Sequence, residues 1–554
     1  MPIISLKHRL IRIGIATLLL VSVVDRISAQ PDVRFDPFDW VVYRQIGSIT
    51  SITEGFSYAY LGTELGGVLR YDIYGNRFPE PITRAQGLSS HQVEAVYFDH
   101  YTGYLWVATP NSLDYSYNRE GEWRHVPWED LSLPTGSGLR RLGSSKDFLW
   151  GYTGTMYYKL DHVTGILLGV MLNPDEKNIV WSSPPFDESW TTSNFLDTYS
   201  VMDGWLLNLD EVVSPQGKQL RITTIYEGQF GDIWVGTDDG TLFHGETQMR
   251  SLYPLVVGLG NNDVQSILGG QYFWLVGRRG RDTRGITQAD LQRDIYTIFD
   301  FDLTINAQAQ SLYTVEKVGD EMWFGGVGQI IVYDLKHDFW RTYDETRGIP
   351  SGNILSLSPD SQSVWIGSTT GLGRLDRWTK RQLPIPRSGF IRDLFVYDLA
   401  VIDSLVWVGT EFMLYLIDPS RQIIRTFKNF GDVQAIRGRL DTFSGFTTIE
   451  HLDEEVYVAT FQGILAYNLT SHRWSLVVDP SIYGGQPVYS LQKDGDVLFI
   501  AQGQGFTRYE MDTGQSRVYA YPFIGRVNDM YISNEILWLG TNQGLVKFHW
   551  KKDR

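Results

Sequence analysis

Four arginines lie between positions 278 and 284, in the stretch LVGRRGRDTRGI that follows Trp274. A guanidinium group donates forked hydrogen bonds, so such a cluster can clamp a carboxylate, a sulfate or an acidic partner. In the alternative interpretation the loop is solvated, and its positive charges offset those of nearby aspartates at 282, 290 and 294. The candidate ligand-binding residues are Arg278, Arg279 and Arg281, with Arg284 at the end of the loop.

Polar residues in predicted turns form a second set of candidates. In a four-stranded meander, the turn between the second and third strands and the loop into the next meander emerge on the same side. If the meanders form a ring, these groups converge on the mouth of its channel, a usual place for a ligand. The alternative is that they are ordinary solvated turn residues. The set comprises Glu64, His91, Asn111, Asp238, Asp239, Asn262, Asp263, Arg347, Asn353, Glu411, Gln462, Gln504 and Asn542.

Two aromatic residues occupy the same predicted turns, Phe412 and Phe461. An exposed ring there can stack on a sugar, and a buried ring can pack against its neighbours. We expect both to pack.

No familiar catalytic motif accompanies these residues. The chain has no G-x-S-x-G, no H-E-x-x-H, no P-loop and no G-x-G-x-x-G after a strand, and its histidines are scattered. It contains no cysteine, which excludes disulfides, thiolate nucleophiles and Cys-ligated metals. The stretch MDTGQ weakly resembles the repeat of quinone-dependent propeller dehydrogenases but occurs once in that form. We therefore predict no catalytic residue, no metal and no cofactor.

The elements that position the candidates are repeats of about 40 residues. Segment 339–381 shows the unit: four strand-sized runs separated by turn residues, with WIGS on the third run. The anchor is an aromatic residue that recurs along the chain, usually with a small residue two positions later. The anchors are Tyr60, Trp106, Trp150, Trp205, Trp234, Trp274, Trp323, Trp365, Trp407, Tyr457, Phe499 and Trp538.

A second landmark lies ten positions after several anchors and is usually followed by a residue that favours turns. Asp334, Asp376, Asp418, Asn468 and Glu510 fill this place, where a short polar side chain can bond to its own backbone. The period has a physical reason, because a four-stranded blade cannot cover both faces alone and must stack on its neighbours. We expect the anchors to be core residues, and the small residue beyond each to admit a neighbouring blade.

Twelve anchors exceed the four to eight blades of a single propeller. We therefore predict an all-β fold with two packed β-propellers of six or seven four-stranded blades each. The sequence FDWVVYRQI, at 38–46, gives one strand before the first repeat, and the last repeat stops after three strands. We expect the N- and C-terminal strands to pair, because this removes two exposed edges.

The predicted division assigns 30–200 to a first propeller, 201–449 to a second, and 450–554 to C-terminal blades that close a ring. One propeller is then inserted within the other. The period fails between Gly165 and Tyr199, which indicates an insertion or a crossover between rings. The spacing from Trp205 to Trp234 is too short for four strands, so one blade there is expected to be irregular.

The N-terminus predicts export. Cations at Lys7, Arg9 and Arg12 precede the apolar run IGIATLLLVSVV, and Ala29 offers a small residue before a cut at Gln30. We interpret 1–29 as a cleaved signal peptide, with an uncleaved anchor as the alternative. Removing it changes the net charge from -16 to -19, which disfavours nucleic acid and anionic membranes as partners. The mature chain is expected to be secreted or periplasmic, without membrane insertion.

The segments 349–381 and 87–116 resemble the two-component regulator propeller repeat, in which a Gly-Leu-Pro-Ser-type turn precedes an apolar strand and a WIGT-like strand. The resemblance covers nearly all of the mature chain. It implies two seven-bladed propellers of the kind found in extracytoplasmic sensors, often for oligosaccharides. The chain departs from those sensors because no β-sandwich, second membrane span or kinase follows Trp538. It is similar to the sensor half, or to stand-alone secreted propellers.

Three functions follow as hypotheses. The first is a non-enzymatic, sensor-like propeller that binds an oligosaccharide, a peptide or a protein through its blade turns. The second is a scaffold or accessory subunit of an envelope or secretion assembly, with an envelope protein as partner. The third is a polysaccharide lyase or hydrolase that uses carboxylates at the channel mouth together with His91, because propeller enzymes assemble their sites from distant blades.

Overall fold

A computed structural model describes residues 34–553, apart from 135, 185–197, 209–210, 229–230, 281–282, 387–390 and 392. The described chain is nearly all β, as predicted, and its strands form eleven sheets. The predicted signal peptide, 1–29, lies outside the described residues. No helix in the described part is long and apolar enough to cross a membrane.

The first four sheets, numbered in chain order, lie between residues 49 and 255. Sheet 1 contains Ile49–Glu54, Tyr58–Thr63 and Val68–Asp72. Sheet 2 contains Ala95–Phe98, Leu105–Ala108, Ser112–Ser116 and Arg124–Pro127. Sheet 3 contains Arg141–Ser144, Leu149–Tyr152, Tyr157–Leu160, Leu167–Met171 and Val180–Trp181. Sheet 4 contains Ser200–Val201, Leu206–Asn208, Glu211–Val213, Gln219–Glu227, Asp232–Thr237, Leu242–Glu246 and Ser251–Leu255.

The other seven sheets follow from residue 264. Sheets 5 and 6 contain Val264–Leu268, Phe273–Gly277, Gly285–Asp290 and Ile295–Asp300, then Thr314–Val318, Glu321–Gly325, Gln329–Asp334 and Phe339–Asp344. Sheets 7 and 8 contain Ile354–Pro359, Ser363–Ser368 and Gly371–Asp376, then Val396–Ile402, Leu405–Thr410, Leu414–Asp418 and Ile423–Thr426. Sheets 9 and 10 contain Thr448–Leu452, Glu455–Thr460, Gly463–Asn468 and Arg473–Val478, then Leu491–Asp494, Val497–Ala501, Phe506–Glu510 and Ser516–Tyr519. Sheet 11 contains Val527–Ser533, Ile536–Thr541, Gly544–Phe548 and Trp40–Tyr43.

The described helices are single short turns. They are Phe301–Ile305, Glu345–Arg347, Phe427–Asn429, Gln434–Arg439, Pro480–Ile482 and Trp550–Lys552.

Ten of the twelve predicted anchors lie on the second strand of a separate sheet, and Trp234 lies on the fifth strand of sheet 4. None of these eleven is more than 5% exposed. The expectation that they are core residues is confirmed. The exception is Trp205, which precedes the strand Leu206–Asn208 and packs edge-on against Phe243. Trp205 is therefore not a blade anchor, which explains the short spacing to Trp234.

The first strands of sheets 5 to 11 contact one another in sequence, and the first strand of sheet 11 contacts that of sheet 5. We call these seven sheets the seven-sheet ring. The small residues beyond the anchors allow this approach, as predicted. A Cβ atom on Gly367 would lie 2.9 Å from Val396 and Leu399 of the next sheet. A Cβ atom on Gly540 would lie 3.0 Å from Val264, across the junction between the last and first sheets.

The N-terminal strand pairs with the last strand of the chain. Trp40 lies opposite Phe548, and Tyr43 lies opposite Leu545, in antiparallel register. The indole of Trp40 stacks on Phe548 with ring centroids 3.8 Å apart. Sheet 11 thereby gains the fourth strand that its own repeat lacks.

Sheets 1 to 4 form a smaller unit, the four-sheet group, with fewer sheets than the six or seven expected for each propeller. The inner strands of sheets 4, 1, 2 and 3 contact in that order. The segment Ser182–Pro184 lies among these strands: Ser182 N donates to Leu142 O (2.9 Å) and Ser183 N donates to Ile52 O (2.9 Å). Thr224 Oγ1 donates to Ser183 Oγ at 2.7 Å and to Pro184 O at 2.9 Å. Both serines are 1% exposed.

Strands up to Leu255 pack within the four-sheet group, and strands from Val264 onwards pack within the seven-sheet ring. The boundary between the two units therefore lies between these residues. The predicted boundary at 449/450 lies inside the seven-sheet ring, since the first strand of sheet 9 contacts those of sheets 8 and 10. We propose a division into residues 45–258 and 259–553, with 40–43 belonging to the second unit. The sequence could not place this boundary because both units use the same repeat.

The turn chemistry follows the sequence. Asp376 Oδ1 accepts hydrogen bonds from Trp378 N (3.1 Å) and Thr379 N (2.7 Å). Asp418 makes the same contacts with Ser420 N and Arg421 N. The prediction that these acids turn the chain is confirmed.

Candidate functional site

The turns between second and third strands lie beside the loops that lead into the first strands, as topology predicts. Asn111 Nδ2 donates to Ser89 O at 3.3 Å. Gln462 Oε1 accepts from Ser444 N at 2.7 Å, and Asn542 Oδ1 accepts from Arg526 N at 2.8 Å. The backbones of Asn353 and Glu411 bond to Thr369 and Gly445 in the same way. These five candidates fasten a turn to a loop, and their role in binding stays a prediction.

The two aromatic turn residues differ. A Cβ atom on Gly445 would lie 2.4 Å from the Phe461 ring, so this ring packs as expected. Phe412 is 71% exposed, so the expectation that it packs is wrong. The ring follows Thr410 and Glu411 in a turn whose polar backbone is already bonded to the next loop, which leaves no apolar surface for it.

The structure separates the arginines of the 278–284 loop. The Arg278 guanidinium lies 5.9 Å from the Tyr313 ring centroid, and Arg279 N donates to Ser311 Oγ at 2.9 Å while its side chain is exposed. Arg281 lies outside the described residues. Arg284 turns away towards the four-sheet group and pairs with Asp239. Among the described members of the cluster, Arg284 alone has an ion pair.

The meeting of Arg284 and Asp239 forms one wall of a cleft between sheets 4 and 5. Arg284 Nη2 lies 2.8 Å from Asp239 Oδ2, and Arg284 Nη1 donates to Asp239 O at 3.0 Å. Lys218 Nζ lies 3.3 Å from Asp239 Oδ2 and 3.8 Å from Asp300 Oδ2. The cleft has a volume of about 330 Å³, and Trp205 and Thr304 also line it. Two predicted sites, the Asp238–Asp239 turn and the arginine loop, thus converge here, although not at a channel mouth.

Neighbouring cations favour the ionised form of the Asp239 carboxyl group. Burial by itself raises the pKa of Asp239, but Arg284, Lys218 and hydrogen bonds from Thr241 outweigh it and hold the pKa below its ordinary value. Thr241 N donates to Asp239 Oδ1 at 2.9 Å. The cleft therefore presents fixed cations and carboxylates side by side, together with hydroxyl groups and an indole ring. This combination suits a ligand with many hydroxyl groups, which both donates and accepts hydrogen bonds.

The neighbouring predicted residue, Asp238, faces outward. Its Oδ2 lies 3.2 Å from Arg221 Nε, and the Arg221 side chain is 77% exposed. Its backbone oxygen accepts from Ser48 Oγ at 3.3 Å, in the segment that links the two units. Glu64 lies in the same region, where its Oε2 accepts from Ser48 N at 3.3 Å.

A second pocket, of about 590 Å³, opens on the turn side of sheet 10. Its polar lining is uncharged and includes Gln486, Gln502 and the predicted residue Gln504. Gln502 is held by two hydrogen bonds, from its Nε2 to Tyr483 O at 3.0 Å and from Thr507 Oγ1 to its Oε1 at 3.0 Å. Gln504 is thus a predicted turn residue of the seven-sheet ring that lines this pocket.

The sequence did not reveal a group of carboxylates on the first strands of the seven-sheet ring. Burial raises the pKa of Asp398 to about 7 and that of Asp529 to about 6. Burial, followed by the charges of Asp398 and Asp529, raises the pKa of Glu450 well above its ordinary value. These residues lie on the first strands of sheets 8, 9 and 11, and their charges act on one another. The signal in the sequence was the pattern Val-x-Asp, present at both 396–398 and 527–529.

Two of these carboxylates join neighbouring sheets. Asp398 Oδ2 accepts from Ile449 N at 2.8 Å, and Asp529 Oδ2 accepts from Ile267 N at 2.8 Å. Within the described residues, no set of three or more His, Asp or Glu side chains is arranged to hold a metal ion. The hydrogen bonds to Ile449 and Ile267 assign these two acids a structural role between blades.

Comparisons with known proteins add little to this description. No protein-family profile matches the chain, and no curated protein matches it either. The chain is similar to the extracellular domain of a proposed hybrid two-component system from B. thetaiotaomicron, with 17% identity, 91% of this chain and 81% of the other covered, and a TM-score of 0.41. A second such domain from the same organism gives 15% identity, 90% and 69% coverage, and a TM-score of 0.42. The similarity is too weak to support a conclusion about function.

Proposed function

We propose that this protein is an extracytoplasmic, non-enzymatic binding protein that takes a short oligosaccharide in the cleft between sheets 4 and 5. The observation that carries the proposal is the convergence of Lys218, Arg284, Asp239 and Asp300 beside a half-buried indole. Sugar hydroxyl groups can accept from the cations and donate to the carboxylates. The Trp205 ring offers an apolar face for the C–H side of a sugar.

The location of the cleft supports the proposal. Its walls come from two separate β units, and its charged residues lie in turns next to the strands of sheets 4 and 5 or, for Asp300, at the end of a strand. The export signal predicted at 1–29 is compatible with a ligand found outside the cytoplasm. The proposal does not require a signalling partner that recognises the protein with its ligand bound.

The test is a glycan array followed by calorimetric titration of the best ligand. We expect Trp205→Ala to weaken binding about tenfold or more, because a tryptophan at the centre of a contact contributes strongly to affinity. The matched control is Trp378→Ala, since Trp378 is 66% exposed and lies outside the cleft. Equal affinity of wild type and Trp205→Ala would contradict binding in the cleft. Gln504→Ala would then test binding in the amide-lined pocket.

A specific observation favours the scaffold function as a second candidate. Alternate residues along the outer strand of sheet 3 are apolar and exposed: Ile166 is 62%, Leu168 53%, Val170 42% and Leu172 71% exposed. The strand Leu167–Met171 lies at the edge of its sheet. An exposed apolar edge can accept a strand from a partner protein. If Leu168→Asp abolishes assembly with an envelope protein while glycan binding persists, the scaffold function is supported.

A further inference from the structure

Three basic residues, Arg44, Arg84 and His91, lie where the segment between the two units begins. All three lie around the turn that joins the second and third strands of sheet 1. None of them has a carboxylate partner within the described residues. On a chain with a net charge of -16, this is an unusual place to leave positive charge uncompensated.

Arg44 is held by both units. Its Nε donates to Leu65 O at 2.7 Å, in the turn of sheet 1. Its Nη1 donates to the backbone oxygen of Gln543 and, at 3.1 Å, to Gln543 Oε1, in the corresponding turn of sheet 11. All these acceptors are neutral, so the guanidinium is fixed in position while its charge is not balanced.

His91 and Arg84 approach the same turn from the other side. Gly67 N donates to His91 O at 2.8 Å. A Cβ atom on Gly67 would lie 2.4 Å from Ile82 O and 3.4 Å from the Cα of Thr83, the residue before Arg84. A side chain at position 67 would clash with this backbone, so glycine allows the segment that carries Arg84 to approach the turn.

Part of this cluster is buried and has no hydrogen-bond partner. Neither ring nitrogen of His91 has a hydrogen-bond partner in the described residues, and the same is true of Arg84 Nε. Burial first, and then Arg44 and Arg84, hold the pKa of His91 well below its ordinary value, so the imidazole is neutral. Burial and the charge of Arg84 lower the pKa of Arg44 to about 10, which leaves it charged at neutral pH. Buried cations without a counter-charge are costly.

We propose that Arg44, Arg84 and His91 form a binding site for an oxyanion, a carboxylate, sulfate or phosphate group. The two guanidinium groups donate charge-assisted hydrogen bonds to its oxygens, and the imidazole adds one N–H donor. Because Arg44 bonds to both sheet 1 and sheet 11, an anion here also ties the two units together. The site is separate from the cleft that contains Trp205, and it does not depend on the proposed function.

The experiment measures thermal unfolding and calorimetric binding of the full mature chain with sulfate, phosphate or glucuronate, against chloride at constant ionic strength. We expect at least one of the three to raise the melting temperature of the wild type. Arg84→Gln should lower the affinity for that anion about tenfold or more, since a charge-assisted hydrogen bond is lost. Arg279→Gln, which alters an exposed arginine elsewhere, should leave both values unchanged. Sulfate or phosphate binding indicates a free inorganic anion, and binding of glucuronate alone indicates an acidic sugar.

A second readout separates binding from a structural role. In the chloride reference buffer, without sulfate, phosphate or glucuronate, Arg84→Gln removes an unbalanced charge and should melt at the same temperature as wild type or higher. A variant that melts lower in that buffer and still responds to the anion contradicts the proposal. So does a wild type that responds to none of the three anions, or a response that Arg84→Gln and His91→Gln both retain. Trp205→Ala should respond to the anion as the wild type does. The anion site is thereby tested independently of oligosaccharide binding in the cleft.

Discussion

The seven-sheet ring and the four-sheet group are built from the same repeat but treat their centres differently. The ring brings carboxylates from three of its first strands, those of Asp398, Glu450 and Asp529, within electrostatic range of one another. In the smaller group, Ser182–Pro184 occupies the space among the inner strands and bonds to three of them. A tighter arrangement of sheets can be filled by a single segment of chain, whereas a wider one is lined by side chains. The number of sheets in a unit therefore decides whether its centre holds a segment of backbone or side chains.

The two units also differ in how their ends are secured. The ring obtains its last strand from Trp40–Tyr43, at the opposite end of the chain. The group has irregular additions around sheet 4, including a parallel pair between Ser200–Val201 and Ser251–Leu255. The three predictions below test this contrast.

The largest effect is expected where the ring takes its terminal strand. Trp40→Ala removes a fully buried indole that stacks on Phe548, and we expect a loss of about 3–5 kcal/mol in the free energy of unfolding. Denaturant unfolding measures the loss, and hydrogen exchange should locate it in Gly544–Phe548. Trp378→Ala is the control, because its indole is exposed. A loss of similar size in both variants would contradict the role of the terminal strand.

A smaller effect is expected at the centre of the four-sheet group. Ser183→Ala leaves Ile52 N, which donates to Ser183 Oγ at 2.7 Å, without its partner, and we expect a cost of about 1–3 kcal/mol. Hydrogen exchange should accelerate in Ile49–Glu54 and remain unchanged in the seven-sheet ring. Ser420→Ala, in an exposed turn, serves as the control. Faster exchange throughout sheets 5 to 11 would show that the two centres are not independent.

The smallest effect concerns the acids of the ring. Since the folded pKa of Glu450 is raised, its contribution to stability is complete below its unfolded value near 4.5 and is lost as the pH rises through the folded pKa. Glu450→Gln should therefore melt roughly 2 °C above the wild type at pH 8 and equal to it near pH 4.5. Glu454→Gln, at a nearby turn of the same sheet, is the control. A difference that is independent of pH would refute the explanation by charge.

Much of the local structure could be predicted from particular residues. The aromatic anchors identified one interior strand in each of eleven sheets, and Asp376 and Asp418 identified the turns after third strands. Trp205 was misleading because its neighbours reproduce the local pattern, WLLN, without the strands around it. The candidate site was predicted only in parts, since Asp239 and Arg284 belong to turns about 45 residues apart, and each was expected at a channel mouth.

By itself, the sequence determined the all-β class, the repeating meander and the burial of its anchors, because these depend on contacts within about 40 residues. Only the tertiary structure decided that seven sheets share one ring and four the other unit, that Ser182–Pro184 lies among the inner strands, and that Arg284 meets Asp239. The physical reason is that blades present similar faces to any neighbour, so local patterns do not specify which neighbours meet. That choice is made by close packing over the whole chain, as when Gly540 admits Val264.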